Sequence, residues 1–295
     1  MICINERCAA KSAAVDPGMA SLKARLRRDV ERLALPRHSR CNEAANRWVR
    51  EELMSAFERS GLSVTVQGPH RNVVALPPRP RASVTIIAAH YDSVPDCPGA
   101  DDNASGLAVM LECARRLADT SALGAVGFIA FNAEEDGLLG SRDFVANGLP
   151  SLGCPIGRVH VLEMVGFRGK PSASQSLPLP WVPEKLRAPD YLALLAKGAA
   201  NPIAEAALRS TSAPGLRLLA AKTWGPLHRL LPDITRSDHF PFWCVGVPAV
   251  LWTDTGNFRN PHYHRPTDRP ETLDYDFMAE VTTLLAALVA TTGTV

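Results

Sequence analysis

Three short, largely apolar runs, each containing or followed by acidic or histidine residues, constrain the fold of this 295-residue chain more than any other feature. They cover residues 84–89, 125–131 and 157–165, and a helical pattern at about 105–118 separates the first run from the second. Runs that are apolar at successive positions are typical of strands buried on both faces. Strands that alternate with helices predict an α/β fold, a three-layer α/β/α arrangement around a mostly parallel sheet.

The remaining patterns add elements to the same domain. Helices are predicted at 19–35, about 43–60, around 189–196, at 201–210 and from 274 to about 290, and further strands at 62–67, 72–76 and 247–252. Residues 1–18 are predicted to be a disordered tail, and residues 19–295 a single domain. Residues 168–235, rich in proline, alanine and leucine, are interpreted as a lid-like insertion in that domain.

Charge and hydropathy exclude several classes of function. A formal net charge of +2 predicts no strong attraction to nucleic acid or to an anionic membrane. No run of eighteen apolar residues occurs, and the first eighteen residues lack the apolar core of a secretory signal. We therefore expect no transmembrane helix and a cytoplasmic location.

Acidic and histidine side chains follow each of the three buried runs. His90 follows the first run, Glu134 and Glu135 follow the second, and Glu163 lies near the end of the third. The loop after His90 contains the acidic pair 101–102. In parallel α/β sheets, ligands bind beyond the carboxyl ends of the strands. These side chains are therefore predicted to meet in one site.

The donors in this set suit a pair of zinc ions. Catalytic zinc binds imidazole nitrogen and carboxylate oxygen, and two ions about 3.5 Å apart need a carboxylate between them. His90 and Glu163 are the predicted ligands of one ion, and Glu135 and His264 of the other. An acid of the pair 101–102 is expected to bridge them.

The residues that remain suggest a hydrolytic mechanism. Glu134 is free to act as general base on a water that bridges the ions, so metal-assisted hydrolysis is the predicted reaction. Asp92, two residues after His90, is predicted to accept the other imidazole N–H and orient the ring. Tyr263, next to His264, is a candidate hydrogen-bond donor to the oxyanion.

Six segments of the chain resemble, in motif and in order, the co-catalytic zinc aminopeptidases, whose superfamily also holds the glutaminyl cyclases. They are His90-Tyr-Asp-Ser-Val, Gly99-Ala-Asp-Asp-Asn-Ala-Ser-Gly106, Phe131-Asn-Ala-Glu-Glu135, Leu162-Glu-Met-Val-Gly166, Ser237-Asp-His-Phe-Pro-Phe-Trp243 and Tyr263-His264. The resemblance covers roughly residues 20–292. It implies a single-domain zinc exopeptidase fold with about eight mixed strands. It also implies that Asp102 is the bridging ligand and that a cis peptide bond follows it.

The resemblance implies an aminopeptidase that acts on peptides with a free N-terminus. Glu163 stands where many members of the family have aspartate, so one bound zinc ion is an alternative to two. A glutaminyl cyclase-like acyltransferase with one zinc is a second possible function, although glutaminyl cyclases have tryptophan at the position of Tyr263. A non-catalytic binding domain of the same fold is a third, and the complete ligand set argues against it. The sequence predicts no oligomeric state.

Overall fold

The three apolar runs form neighbouring strands at the centre of one sheet. The structure is a computed structural model that describes residues 1–4, 17–170, 173–176, 186–226 and 231–292. Within these residues the sheet has nine strands, ordered β1-β8-β7-β9-β6-β4-β5-β3-β2. Their bounds are β1 Ile2–Ile4, β2 Ser63–Gln67, β3 Asn72–Leu76, β4 Val84–His90, β5 Val126–Phe131, β6 Ile156–Glu163, β7 Tyr191–Lys197, β8 Arg217–Thr223 and β9 Ala249–Thr253.

The strand directions bring the ends of the apolar runs to one edge of the sheet. The central strands β9, β6, β4 and β5 are parallel, and β7 is parallel to β8. The pairs β1–β8, β7–β9, β3–β5 and β2–β3 are antiparallel. His90 pairs in register with Phe131, and Glu163 with Thr253, so the strands end side by side. The prediction of a mixed α/β sheet is confirmed.

Helices cover both faces of the sheet, which explains why the central strands are largely apolar on both faces. The helices are α1 Pro17–Leu33, α2 Glu43–Arg59, α3 Gly106–Leu117, α4 Leu139–Asp143, α5 Asn201–Arg209, α6 His239–Cys244 and α7 Tyr275–Thr292. On one face, Ile87 and Ala89 of β4 belong to the core that contains α1, α2, α3, α5 and α7. On the other face, Ile86 and Ala88 pack in a core with Phe144 and with Phe242 of α6.

Two predictions about the ends and the middle of the chain are wrong. The helix predicted around 189–196 is strand β7, which pairs with β8 and β9. No pattern described above predicts strand β8. The tail predicted for residues 1–18 is wrong for Ile2–Ile4, which pair with β8, and α1 already begins at Pro17. Residues 5–16 lie outside the described residues.

The segment interpreted as a lid-like insertion contributes to the sheet itself. Its described part includes β7, α5 and β8, and α5 confirms the helix predicted at 201–210. Leu186 and Leu231, also from this segment, line a cavity above the strand ends. Its role as a lid stays a prediction, and residues 171–172, 177–185 and 227–230 lie outside the described part.

Candidate metal centre

The five predicted metal ligands come from five segments that meet at one edge of the sheet. His90 and Glu163 are the last residues of β4 and β6. Glu135 lies in the turn after β5, and Asp102 in the loop that leads into α3. His264 belongs to the loop between β9 and α7. Parallel strands and their following turns thus position four of the five, and the C-terminal loop brings the fifth.

These side chains form two trios that share Asp102. Asp102 Oδ1 lies 3.1 Å from His90 Nε2, and Asp102 Oδ2 lies 3.2 Å from His264 Nε2. Glu163 Oε1 is 3.4 Å from His90 Nε2, and Glu135 Oε2 is 3.2 Å from His264 Nε2. Within each trio, one possible ligand atom from each residue lies within 4.8 Å of the others. The two carboxylate oxygens of Asp102 therefore face different trios, as a bridging ligand requires.

Glu134 lies beside both trios, and Asp92 forms a hydrogen bond with its backbone. Glu134 is about nine-tenths buried, and its carboxylate forms a third close set with His90 and Glu135. Asp92 is fully buried and accepts the backbone N–H groups of Glu134 and Glu135, each over 3.2 Å. Asp92 Oδ1 also lies 3.4 Å from His90 Nδ1. Asp92 thus contacts both the His90 ring and the turn that carries the two glutamates.

The loop around Asp102 is held by a carboxylate that the sequence did not reveal. Asp268 is fully buried and accepts the backbone N–H groups of Asp101 and Asp102, over 2.9 and 3.1 Å. Asp101 points away from the trios, because its carboxylate accepts hydrogen bonds from the Gly166 N–H and the Asn260 amide. The peptide bond between Asp102 and Asn103 is cis, as the resemblance implies. Asp268 lies four residues after His264, and no spacing rule indicated its role.

Three further contacts hold residues of the site. The Ser237 hydroxyl donates a hydrogen bond of 2.8 Å to Glu163 Oε2, so Glu163 directs its other oxygen towards His90. The Tyr263 ring stacks on the His264 ring with centroids 3.7 Å apart. Arg236 Nη2 donates to the Tyr263 hydroxyl oxygen over 3.2 Å. The side chains of Glu163 and Tyr263 are therefore both held in place at the opening of the site.

Backbone strain accumulates where the site residues leave their strands. Ala133, which precedes Glu134, has φ 57°, and Met164, which follows Glu163, has φ 51°. His264 itself has φ 56°. Residues other than glycine seldom adopt positive φ, and such conformations are concentrated at functional sites.

Burial and crowding change the proton affinity of the site carboxylates. Burial, with Asp102 adding to it, raises the pKa of Glu135 to about 7. Burial also raises the pKa of Glu134 well above its ordinary value, with His90 opposing the change. Burial would likewise raise the pKa of Asp102, but hydrogen bonds with His264 and His90 outweigh it and lower this pKa. So many buried carboxylates around two histidines form an environment that favours cations.

The donor set fits metal ions. Glu135 Oε1 is buried and has no hydrogen-bond partner in the part of the chain that the structure describes. Buried acceptors are rarely left without a partner unless an ion or a water satisfies them. Imidazole nitrogen and carboxylate oxygen are donors that zinc binds, and each trio supplies both.

A cavity of about 550 Å³ extends from this site across the sheet. Its volume is within the range of sites for small molecules. One end is lined by the site residues Asp102, Glu134, Glu135, Glu163 and Tyr263. The wall beyond them is largely apolar and includes Ala193, Leu195, Leu219, Trp243 and Leu251. The cavity can therefore take an apolar group next to the carboxylates.

Comparison with known proteins identifies the family. The family model "Peptidase family M28" matches residues 72–289, a stretch that contains all the site residues described above. This chain belongs to peptidase family M28. The M28 chain is 33% identical over 251 residues to the uncharacterized protein YfbL of Escherichia coli, covering 78% of this chain and 76% of YfbL. It is 31% identical over 210 residues to the aminopeptidase YwaD of Bacillus subtilis, covering 70% of this chain but 40% of YwaD.

Solved structures share the fold of the M28 chain. LapB from Legionella pneumophila superimposes with a TM-score of 0.69 at 21% identity, covering 99% of this chain and 78% of LapB. A glutaminyl cyclase from Porphyromonas gingivalis gives 0.66 at 20% identity, covering 93% and 98%. The M28 match and the likeness to the aminopeptidase YwaD confirm the resemblance to the zinc aminopeptidases, and the chain is a peptidase by family. None of the described helices is long and apolar enough to span a membrane.

Proposed function

We propose that this M28 peptidase is a zinc-dependent aminopeptidase that binds two ions between its strand ends. The observation that carries the proposal is the pair of trios on the two oxygens of Asp102. His90 and Glu163 would hold one ion, and Glu135 and His264 the other, with Asp102 between them. The likeness to a protein named aminopeptidase, YwaD, supports the choice of reaction.

Glu134 is the proposed general base. Zinc ions bound by the two trios would lower the pKa of a water molecule and polarise the scissile carbonyl group. Glu134 accepts the proton of the attacking water and returns it to the leaving amine. Asp92 keeps Glu134 in place through the backbone of its turn, and it orients the His90 ring at the same time.

Tyr263 is the proposed donor to the oxyanion. Arginine can only donate hydrogen bonds, so the bond from Arg236 uses a lone pair of the Tyr263 hydroxyl and leaves its proton free. That proton can be given to the oxygen on which negative charge develops. The apolar wall around Leu195, Trp243 and Leu251 would receive the side chain of the N-terminal residue.

Zinc analysis combined with hydrolysis of amino-acid anilides tests the proposal. We expect two zinc ions per chain, and Glu134→Gln should keep both while hydrolysis falls by a factor of about 100 or more. Glu58→Gln, on the exposed face of α2, is the matched control and should leave both properties unchanged. A protein purified at neutral pH without metal would refute the whole proposal. Full activity in Glu134→Gln would refute only the assignment of the base.

The glutaminyl cyclase reaction is the competing function, because a cyclase shares the fold at a TM-score of 0.66. Peptides with N-terminal glutamine separate the two reactions, since cyclisation releases ammonia and uses no water. Cyclisation with one bound zinc ion, and no hydrolysis, would replace the aminopeptidase proposal. Tight metal binding without either reaction would instead indicate a non-catalytic binding domain.

A further inference from the structure

Arg37 is a fully buried cation behind the candidate metal centre. It lies in the short connection between α1 and α2, after Pro36. In the described part of the chain its guanidinium forms no ion pair, and its hydrogen bonds end on backbone carbonyl oxygens. A buried charge is costly unless its hydrogen bonds are satisfied in a fixed geometry, so this arrangement requires an explanation.

Three of these four carbonyl oxygens belong to the two segments that carry His90 and Asp102, and the fourth is that of Leu35, two residues before Arg37. Arg37 Nε donates to the carbonyl of Tyr91 over 2.8 Å, directly between His90 and Asp92. Nη1 donates to Pro98 over 2.5 Å, and Nη2 to Gly99 over 3.0 Å, at the start of the loop that leads to Asp102. One planar group therefore fixes the distance between the end of β4 and the Asp102 loop.

Glycine at position 99 is a requirement of this contact. Gly99 has φ 60°, which side chains rarely tolerate. A Cβ atom there would lie 2.2 Å from the carbonyl oxygen of Asp102 and 3.1 Å from Arg37 Nη1. The loop thus approaches the guanidinium as closely as a backbone without a side chain allows.

A third segment of the site is joined to Arg37 through its backbone. The Asn46 amide donates to the Arg37 carbonyl over 2.8 Å and to Asn132 Oδ1 over 2.9 Å. The Asn132 amide donates back to Asn46 Oδ1 over 3.2 Å. Asn132 lies two residues before Glu134, in the turn that carries both glutamates. The end of β4 and the Asp102 loop therefore contact Arg37 directly, and the turn after β5 is linked to it through Asn46.

The charge of Arg37 complements the carboxylates around it. Burial lowers the pKa of Arg37, while the charges of Asp92, Asp102 and Asp268 act in the opposite direction. Asp92 and Asp268 are the two buried carboxylates that accept hydrogen bonds from backbone N–H groups in the turns of the site. Arg37 is thus a cation placed among acids that cannot reach solvent.

We propose that Arg37 is a positioning residue of the metal centre, which sets the spacing of His90, Asp102 and the glutamate turn so that both trios can bind their ions. The inference rests on the proposed function, because it concerns the same metal ions. Its action is indirect, since no atom of Arg37 contacts a predicted ligand side chain in the hydrogen bonds described. Replacing Arg37 should therefore weaken metal binding much more than it weakens substrate binding.

Calorimetric titration of the metal-free protein with zinc tests this inference in Arg37→Met and Arg37→Lys. We expect Arg37→Met to bind zinc about 10–100-fold more weakly, the range found when partners behind metal ligands are removed. Arg37→Lys should also be impaired, because a point charge with three donors cannot hold two loops as a planar fork does. At saturating zinc, kcat should fall in both variants while KM changes less than about twofold, since no substrate contact is lost.

A control arginine separates positioning from a loss of stability. Arg25→Met removes a paired contact with Glu112 between α1 and α3, remote from the site, with N–O distances of 2.6 and 2.9 Å. It should lower the unfolding temperature of the metal-free protein and leave zinc affinity unchanged. The visible spectrum of the cobalt-loaded protein, which reports coordination geometry, should change in the Arg37 variants and not in Arg25→Met.

The outcomes are distinguishable. Arg37 variants with normal zinc affinity and a normal cobalt spectrum, but with lowered stability, would overturn the inference. If Arg37→Met does not fold, Arg37→Lys decides the question by the same two measurements. A wild-type protein that binds no metal would refute the proposed function itself, which is a different result from intact binding in the variants.

Discussion

Asp92→Asn offers a sharp test of how the site is supported. Asp92 accepts two backbone N–H groups and lies 3.4 Å from His90 Nδ1, with no exposed surface. Asparagine has the same shape, but its NH2 group must face one of the two N–H donors. The substitution therefore removes a buried acceptor without opening a cavity.

Two independent estimates of the effect agree. A buried donor left without a partner costs about 1–3 kcal/mol. Removing the partner of a metal-ligating histidine costs about 10–100-fold in metal affinity or activity, or about 1.4–2.7 kcal/mol. We therefore expect Asp92→Asn to lose about 30-fold in zinc affinity or in kcat/KM, equivalent to about 2 kcal/mol.

Zinc titration and steady-state kinetics at neutral pH measure this loss. Asp96→Asn is the control, because Asp96 belongs to the same loop, is exposed and has a φ of 59° that asparagine tolerates. It should match the wild type in both assays. If Asp92→Asn also stays within twofold of the wild type, Asp92 does not support the site and the reasoning from its contacts is wrong.

Three further predictions concern other buried polar groups. Ser237→Ala should weaken the binding of one of two zinc ions about tenfold, because Glu163 loses its hydroxyl donor; calorimetry that still resolves two sites of wild-type affinity would contradict it. Glu112, which is 1% exposed, accepts hydrogen bonds from Arg25 and Arg115, and these outweigh burial and lower its pKa. Its stabilising effect is complete above the ordinary glutamate pKa and is lost as the pH falls through the lowered value. Glu112→Gln should therefore cost about 2 kcal/mol in urea unfolding at pH 7 and progressively less in acid, and an equal cost at both pH values would refute the argument. Burial lowers the pKa of His160 to about 3, so below about pH 6.5 the unfolded chain binds a proton that the folded chain does not. Stability should fall by up to about 1.4 kcal/mol per pH unit over this range, and a His160→Gln variant with an unchanged slope would contradict the assignment.

The candidate site could be predicted from the sequence because its residues lie next to local signals. His90, Glu134 and Glu163 each stand at or just after an apolar run, and strand ends are where α/β sheets bind ligands. The choice between Asp101 and Asp102 came from the family resemblance. In the structure Asp101 is bonded to Gly166 and Asn260 instead of facing the trios.

Strand β7 shows where local signals fail. Its sequence, Tyr-Leu-Ala-Leu-Leu-Ala-Lys, consists largely of residues with high helix propensity, and a short run that is apolar throughout has no diagnostic period. In the fold, Leu192 and Leu194 enter the core beneath the helices, while Tyr191 and Ala193 face the cavity side. Pairing with the neighbouring strands β8 and β9, together with burial on both faces, overrides the helix propensity of the individual residues.

Contacts between distant parts of the chain were also beyond prediction. Ile2 pairs with Ala221, and Arg37 contacts carbonyl groups more than fifty residues away. A single isoleucine or arginine in a polar stretch has no pattern that indicates such a partner. The residues that support the site can therefore be recognised only in the folded structure, whereas short sequence motifs indicate the residues within the site.

The origin of the ligands in five separate segments links metal binding to the integrity of the whole domain. The predicted ligands extend from position 90 to position 264, so an unfolded or partly folded chain cannot offer a complete trio. The free energy of metal binding therefore stabilises only the native state. One site contributes about 2.7 kcal/mol when the free metal concentration is a hundred times its Kd. A chelator would accordingly leave the chain more open to unfolding and proteolysis, and metal supply would set how long this peptidase survives as well as how fast it works.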